Sequence, residues 1–266
     1  MKLNAVYFTP EDWICFREST VFQSGGNAKT GLAKIEAFFG AVKTALIKKS
    51  GENPLNLSSE MREIVGDSDN PGSLRIWGPF VFKRENSGIK HFFPAPNGIY
   101  RVKEDSELEF MMPHYKVEAE INGRQLKLPW IPSSIEGIDT FDGSLIELKE
   151  IKNFQSARPF SVMESKSIGE KLYRVESKVG IALEKGRKNA EESMLYTLSY
   201  YRFNPGAGFF VFADDNTAKI LAGISNVFIG SKTRSASIEV GTIETDVFDR
   251  RAGSQQALCL FTPAVF

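Results

Sequence analysis

Two stretches of this chain set cations among glycines, and they are its best candidates for holding an anion. One is Ser24-Gly25-Gly26-Asn27-Ala28-Lys29-Thr30-Gly31; the other is Gly230-Ser231-Lys232-Thr233-Arg234. Glycine carries no Cβ, so backbone N–H groups beside it can meet a phosphate at close range. Lys29 near Gly25-Gly26, and Lys232 and Arg234 near Gly230, add charge to those loops. Arg17 closes a short apolar run, Trp13 to Phe16, and its planar fork suits a phosphate. Lys43 stands on a predicted helix, off the apolar face of Leu32, Ile35 and Phe39. The same residues have plainer readings. Gly230 also suits a tight turn, Lys29 and Arg234 suit solvated charges, and Arg17 suits a pair with Glu18 or another acid.

Enzymatic signatures fail. A Walker loop needs glycine directly before lysine, and here Ala28 precedes Lys29. Gly206-Ala207-Gly208 runs on into Phe209-Phe210-Val211 and lacks the third glycine of a dinucleotide fingerprint. The G-x-S-x-G elbow and the H-E-x-x-H helix are both missing. The chain has 2 histidines and 2 cysteines. Cys15 and Cys259 lie far apart in sequence, which argues against a disulfide framework and a cysteine zinc site. His91 sits on an aromatic strand and His114 beside Met111-Met112-Pro113; neither has a neighbour that would activate a nucleophile. The expectation is no metal, no cofactor and no catalytic residue.

The elements that must position these loops follow from periodicity. Lys2 to Phe8 alternates as a strand and Pro10 ends it. Leu32, Ile35, Phe39, Val42 and Leu46 recur at helical steps, and Lys48-Lys49 before Gly51 is a stop signal, so a helix is expected over Leu32–Lys49. Residues 51–73 read as a loop with one short helix. Strands are expected over Leu74–Lys83 and Lys90–Val102, joined by the turn Glu85-Asn86-Ser87-Gly88. Further strands are read at Val175–Leu183, Leu195–Phe203, Gly208–Ala213, Ser235–Thr245 and Ala257–Phe261, with a helix at Asn216–Ile224. Tyr196, Tyr200 and Tyr201 fit either core packing or a base-stacking sheet.

Composition bounds the class. The 266 residues are 42% hydrophobic, enough for a real core, and allow one large or two small domains. The start is too polar for a signal peptide, and no apolar run approaches the ~20 residues of a membrane span. A soluble, cytoplasmic protein is expected. Lys+Arg and Asp+Glu are equal at 33 each, so bulk charge does not coat nucleic acid. The balance is uneven along the chain, however. Residues 101–150 hold 6 basic and 11 acidic residues, and residues 151–190 hold 9 basic and 4 acidic ones. Both blocks also suit plain solvated faces.

Four stretches carry a more specific signal. They are Phe16-Arg17-Glu18-Ser19 with Val21-Phe22, the glycine loop and Phe39–Leu46; Phe92-Phe93-Pro94-Ala95-Pro96; Glu176–Ile181 through Arg187 to Tyr196; and Ile229–Ala236 with Leu260-Phe261-Thr262-Pro263-Ala264. In this order they resemble the third subunit of the Cmr complex, the type III-B CRISPR effector, a branch of the RAMP superfamily. The resemblance is spread over most of the chain and weakest in the acidic middle.

The resemblance implies an α+β fold of two ferredoxin-like, RRM-like modules. They would be an N-terminal module over 1–150 with an irregular acidic insertion at about 103–150, and a C-terminal module over 151–266. It implies a non-catalytic subunit that holds the 5′ repeat-derived tag of the guide CRISPR RNA. The large polymerase-like subunit and the backbone RAMP subunits would be its neighbours, with no membrane partner. Arg17, Gly25, Gly26, Lys29, Lys43, Gly230, Lys232 and Arg234 would then be the RNA contacts. Such contacts are modest singly and strongly salt-dependent together. Two rivals are a metal-independent endoribonuclease of the same superfamily that matures the guide precursor, and an adaptor that binds only protein. Two departures stand out: Ser231-Lys232 follows Gly230 where the family more often has further glycines, and members commonly continue beyond the Thr-Pro-Ala segment.

Overall fold

A computed structural model describes residues 1–16, 27–28, 33–102, 107–121, 123–130, 137–156, 158–183, 190–231 and 233–248. In chain order, the first half holds β1 (Lys2–Pro10), β2 (Asn27–Ala28), α1 (Ile35–Ser50), α2 (Ser59–Val65), β3 (Ile76–Glu85), β4 (Gly88–Pro94), β5 (Ile99–Arg101), β6 (Glu109–Phe110), β7 (Met112–Ile121) and β8 (Arg124–Trp130). The second half holds β9 (Asp139–Thr140), β10 (Leu145–Glu147), α3 (Leu148–Gln155), α4 (Ser165–Lys171), β11 (Tyr173–Leu183), β12 (Ala190–Phe203), β13 (Ala207–Ala213), α5 (Asp215–Leu221), β14 (Asn226–Ile229) and β15 (Arg234–Glu244). The result is a mixed α+β chain with a large antiparallel sheet, the fold class expected from the sequence.

The chain forms two compact units. The first joins Met1–Lys90 to Gly169–Thr245, and the second is built from His91–Ile168 and the segment beginning at Asp246. These units do not coincide with the expected division at residue 150. Strand pairing gives the reason: β1 lies between β13 and β15, so the two ends of the chain share one sheet. In the first unit the strand order is β3-β13-β1-β15-β14. Val6 and Phe8 are buried on one face of β1, where the Phe8 ring meets Phe38 of α1 edge-on at 5.0 Å. α5 covers the same face: Asn4 of β1 donates to Asp215 of α5 at 2.7 Å. Tyr7 points the other way and packs edge-on against Phe82 at 5.0 Å.

Local signals explain the helices. α1 opens at Ile35 from an extended Lys34 and closes at Gly51, which adopts φ 75° and donates to the Lys48 carbonyl. That is the expected stop: a left-handed glycine after cations at the negative helix end. α2 starts at a Ser58 hydroxyl accepting from Met61 N, and α5 at an Asp214 carboxylate accepting from Thr217 N. A separate sheet pairs β11 with β12, and Asn27-Ala28 of β2 adds in parallel beside Thr197-Leu198 of β12.

The second unit corrects the sequence reading in two places. The expected strand Lys90–Val102 is broken, because β4 stops at Pro94 and β5 starts at Ile99. Pro94 and Pro96 cannot donate to a ladder, and the chain turns there, with Ile99 N donating to Pro96 O at 3.2 Å. The acidic segment at 103–150 is not irregular in its described residues. β7 and β8 pair as a long antiparallel hairpin, with Gly123 at φ 72° in its turn. Pro113, Tyr115, Val117, Ala119 and Ile121 alternate with polar residues, a strand period that the count of acids obscured. β14, which lies between Ile224 and the Gly230 turn, was also absent from the sequence expectation. The expected strand Ala257–Phe261 lies outside the described residues.

Candidate nucleic-acid interface

Segment 11–16 is the meeting point of three of the four stretches. Its anchor is aromatic. Phe16, 6% exposed, stacks on Phe38 at 5.9 Å and meets Phe209 edge-on at 5.6 Å. Ile14 exchanges two backbone hydrogen bonds with Tyr201 of β12, 3.0 Å from Ile14 N to Tyr201 O and 2.7 Å in return. Trp13 leans on Tyr200 with ring centroids 6.1 Å apart. The stretch after residue 176 is thereby held beside the stretch that leads to Arg17.

The Gly230 loop comes to the same segment from the other side. Ser231 N donates to Cys15 O at 2.7 Å. Gly230 has φ 70°, and a Cβ there would lie 2.6 Å from Cys15 O and 3.1 Å from Ile14 Cγ2. Glycine is therefore required twice over, by the left-handed backbone and by the approach of another main chain. Thr233 also takes a left-handed φ of 46°, so the turn is sharply wound before Arg234. Arg234 donates through Nη1 to Oδ2 of Asp12, and its Nε is buried without a hydrogen-bond partner among the described residues. Arg234 is thus not the freely solvated charge of the plain reading; one carboxylate holds it against segment 11–16.

The remaining candidates are distributed differently. Arg17, Gly25, Gly26, Lys29 and Lys232 lie outside the described residues. Their described neighbours are placed: Phe16 beside Phe38, Asn27-Ala28 beside β12, and Ser231 under Cys15. Lys43 stands apart on α1, half-buried, with its ammonium 5.9 Å from the Phe39 ring centroid. Tyr200 and Tyr201 are 4% and 8% exposed, which favours packing over base stacking for both.

Three residues escaped the motif search. Trp13 carries Lys178 Nζ 3.3 Å from its ring centroid and Arg202 Cζ 5.6 Å from it. Lys178 was quoted only as part of a stretch and Arg202 not at all. The signal that could have found them is the period-two placement of Arg174, Glu176, Lys178 and Arg202 on paired strands, which needs the strand register to read.

Among the described residues no group of three His, Cys, Asp or Glu side chains is placed to hold a metal ion, and no helix is long and apolar enough to cross a membrane. His91 is 8% exposed, and burial pushes its pKa down to about 4.

The family model of the CRISPR-associated protein Cas_Cmr3 matches residues 6–266. The chain belongs to this family. Cas_Cmr3 membership bears out the resemblance read from the four stretches. No curated protein matches it. Among solved structures it is similar to a chain of type III-B Cmr-beta bound to cognate target RNA and AMPPnP. That match has a TM-score of 0.51 and 15% identity, over 91% of this chain and 64% of that one. A chain of Cmr-beta bound to cognate target RNA gives 0.49 and 16%, over 91% and 65%. A chain of the Csm1-Csm4 cassette in complex with cA4 gives 0.44 and 14%, over 92% and 72%. This chain thus spans under two thirds of those two Cmr-beta chains, and at these identities the likeness concerns the fold.

Proposed function

We propose that this Cas_Cmr3 chain is a non-catalytic, cytoplasmic scaffold subunit that holds the 5′ repeat-derived tag of the guide CRISPR RNA. Its protein neighbours would be the large polymerase-like subunit and the backbone RAMP subunits. The observation that carries the reading is the convergence on segment 11–16. A glycine turn bearing Ser231 and Arg234, the residue preceding Arg17, and the sheet beside Asn27-Ala28 are built around one short stretch of main chain. Loops of this kind present backbone N–H groups and cations together, the pairing that a phosphate chain needs.

The sheet supports the reading as well. β1 and β13 are central, β15 and β3 flank them, and α1 and α5 follow β1 and β13 onto one face. That order of elements supports the reading of a ferredoxin-like βαββαβ module, which would draw its strands from both halves of the chain. His91 adds support from the negative side. A general acid–base group works near its own pKa and within reach of substrate, and this imidazole is buried and neutral at pH 7.

The test is co-purification from the native host with identification of the bound RNA and proteins. A short RNA beginning with a repeat-derived tag, carried together with other Cmr subunits, is the expected result. Protein partners with no RNA contact to this subunit would favour the adaptor. Cleavage of repeat RNA by the purified chain, lost in His91→Ala or His114→Ala, would overturn the scaffold in favour of the nuclease.

A further inference from the structure

The face of the β11–β12 sheet that carries Trp13 holds more positive charge than the described residues neutralise. Arg174 and Arg202 are directly opposite each other in the antiparallel register. Like charges in that position repel. Lys178 lies four residues along β11 from Arg174, on the same face, and its ammonium sits over the Trp13 ring. Arg174, Lys178 and Arg202 are all exposed. The carboxylate among them is Glu176, whose Oε1 is 3.3 Å from Arg202 Nη1. Among the described residues one acid therefore pairs with one of these three cations, and the indole holds two of them close together instead of letting them separate.

We propose that this face is a second nucleic-acid contact, a ladder that grips the phosphates of a single-stranded RNA segment through Arg174, Lys178 and Arg202. The proposal rests on the RNA-binding reading above. It assigns contacts beyond the loops of Arg17, Lys29, Lys232 and Arg234. The four-residue step along β11 covers about 13 Å, enough to meet more than one phosphate of an extended strand. Trp13 is the rigid floor that fixes the two cations it touches, so little side-chain freedom is lost on binding. A polyanion relieves the repulsion across the Arg174–Arg202 pair. An acidic peptide is less suited, because its carboxylates would have to match both the cross-strand and the along-strand spacing, whereas a flexible phosphate chain adapts to both.

The full-length chain would be titrated by fluorescence anisotropy against a tag RNA of about eight nucleotides, within the span of such a platform, and against oligouridylate of the same length. Lys178→Gln with Arg202→Gln should weaken binding of both RNAs about tenfold. It should also flatten the slope of log K against log salt by about 1.4, at about 0.7 per single-strand phosphate contact. Arg174→Gln, a surface change that tests the ladder should the double variant fail to fold, should flatten it by about 0.7. Lys232→Gln with Arg234→Gln is the control for the loop site. Loss in that control with unchanged affinity and slope in both ladder variants would overturn the ladder and leave the scaffold reading standing. Loss in the ladder variants with an unchanged control would support the ladder and remove the Gly230 loop from the contact set. A wild-type chain that binds neither RNA, alone or within the assembled effector, would overturn both.

Discussion

Two arginine-centred regions of this protein handle charge in opposite ways. In the second unit Arg101 lies 3.1 Å from Asp139 and 3.8 Å from Glu164, and its guanidinium rests 5.2 Å from the Phe141 ring centroid. Its neighbour Tyr100 donates to Glu109 at 2.6 Å, and burial, with that carboxylate beside it, pushes the phenol pKa up to about 12. In the first unit Arg174, Lys178 and Arg202 line one face where, among the described residues, Glu176 pairs with Arg202, and Arg234 has Asp12. The acidic block of the sequence supplies Asp139 and Glu109 to the first of these regions, and the basic block supplies Arg174 and Lys178 to the second. A chain of zero net charge is therefore partitioned, not mixed. A region that balances its own charges needs no outside ion. A region whose cations are fixed by strand register, on an aromatic floor, is suited to receive one.

The Arg234 loop of the first unit is held by main-chain shape, so the sharpest way to break it is to deny that shape. Gly230→Ala puts a Cβ 2.6 Å from Cys15 O at a residue with φ 70°. The expected cost is about 2–4 kcal/mol, from the left-handed backbone and from the shift forced on segment 11–16. Thermal unfolding should show a clear drop in midpoint, and RNA binding should weaken even where folding survives. Wild-type stability in this variant would mean that the turn is not wound tightly against Cys15.

That glycine also marks how far the sequence could be read. Its type and its charged neighbours identified the loop, and α1, β1, β13 and β15 follow from periodicity to within a few residues. The partner of the loop did not emerge, because Asp12, Cys15 and Gly230 are joined only after β15 returns beside β1, a pairing of the chain ends that no local pattern encodes. Lys178 and Arg202 were hidden for a related reason. A cation on a strand reads as a solvated charge until the register shows which cation lies opposite. The acidic middle erred the other way: its charge drew attention from the alternation in β7. Ahead of it, Pro94 and Pro96 broke a strand that aromatic residues had suggested.

The second unit should fail by titration, not by strain. The imidazole of His91 has an ordinary pKa of 6.5 in the unfolded chain and about 4 when folded, because burial disfavours its charged form. Its contribution is complete above pH 6.5 and is lost as the pH falls through that value toward 4, because the unfolded chain then binds a proton that the folded chain refuses. About 2 kcal/mol should disappear between pH 7 and pH 4.5 from this group. In His91→Gln the midpoint should vary less over that interval than in the wild type. Equal slopes in the two proteins would show that the imidazole is accessible in the folded state.

The smallest effects test the charge comparison itself, because its two halves predict opposite signs. Asp139→Asn removes one of the two carboxylates beside Arg101, whose side chain is 18% exposed, while Asp139 is 59% exposed. The mutual attraction is screened at so exposed a partner, so a loss of about 0.5–1 kcal/mol is expected, with no change in RNA binding. Arg174→Gln removes one of two like charges set face to face across β11 and β12. Its stability should stay level or rise by about 0.2–0.5 kcal/mol at low salt, and that gain should fade as salt screens the pair. Denaturant unfolding at two ionic strengths resolves the signs. If both variants destabilised alike, the β11–β12 cations would be as well compensated as Arg101, and the contrast between the regions would collapse. If they diverged, the repulsion in the free protein would be the energy that a bound phosphate chain relieves.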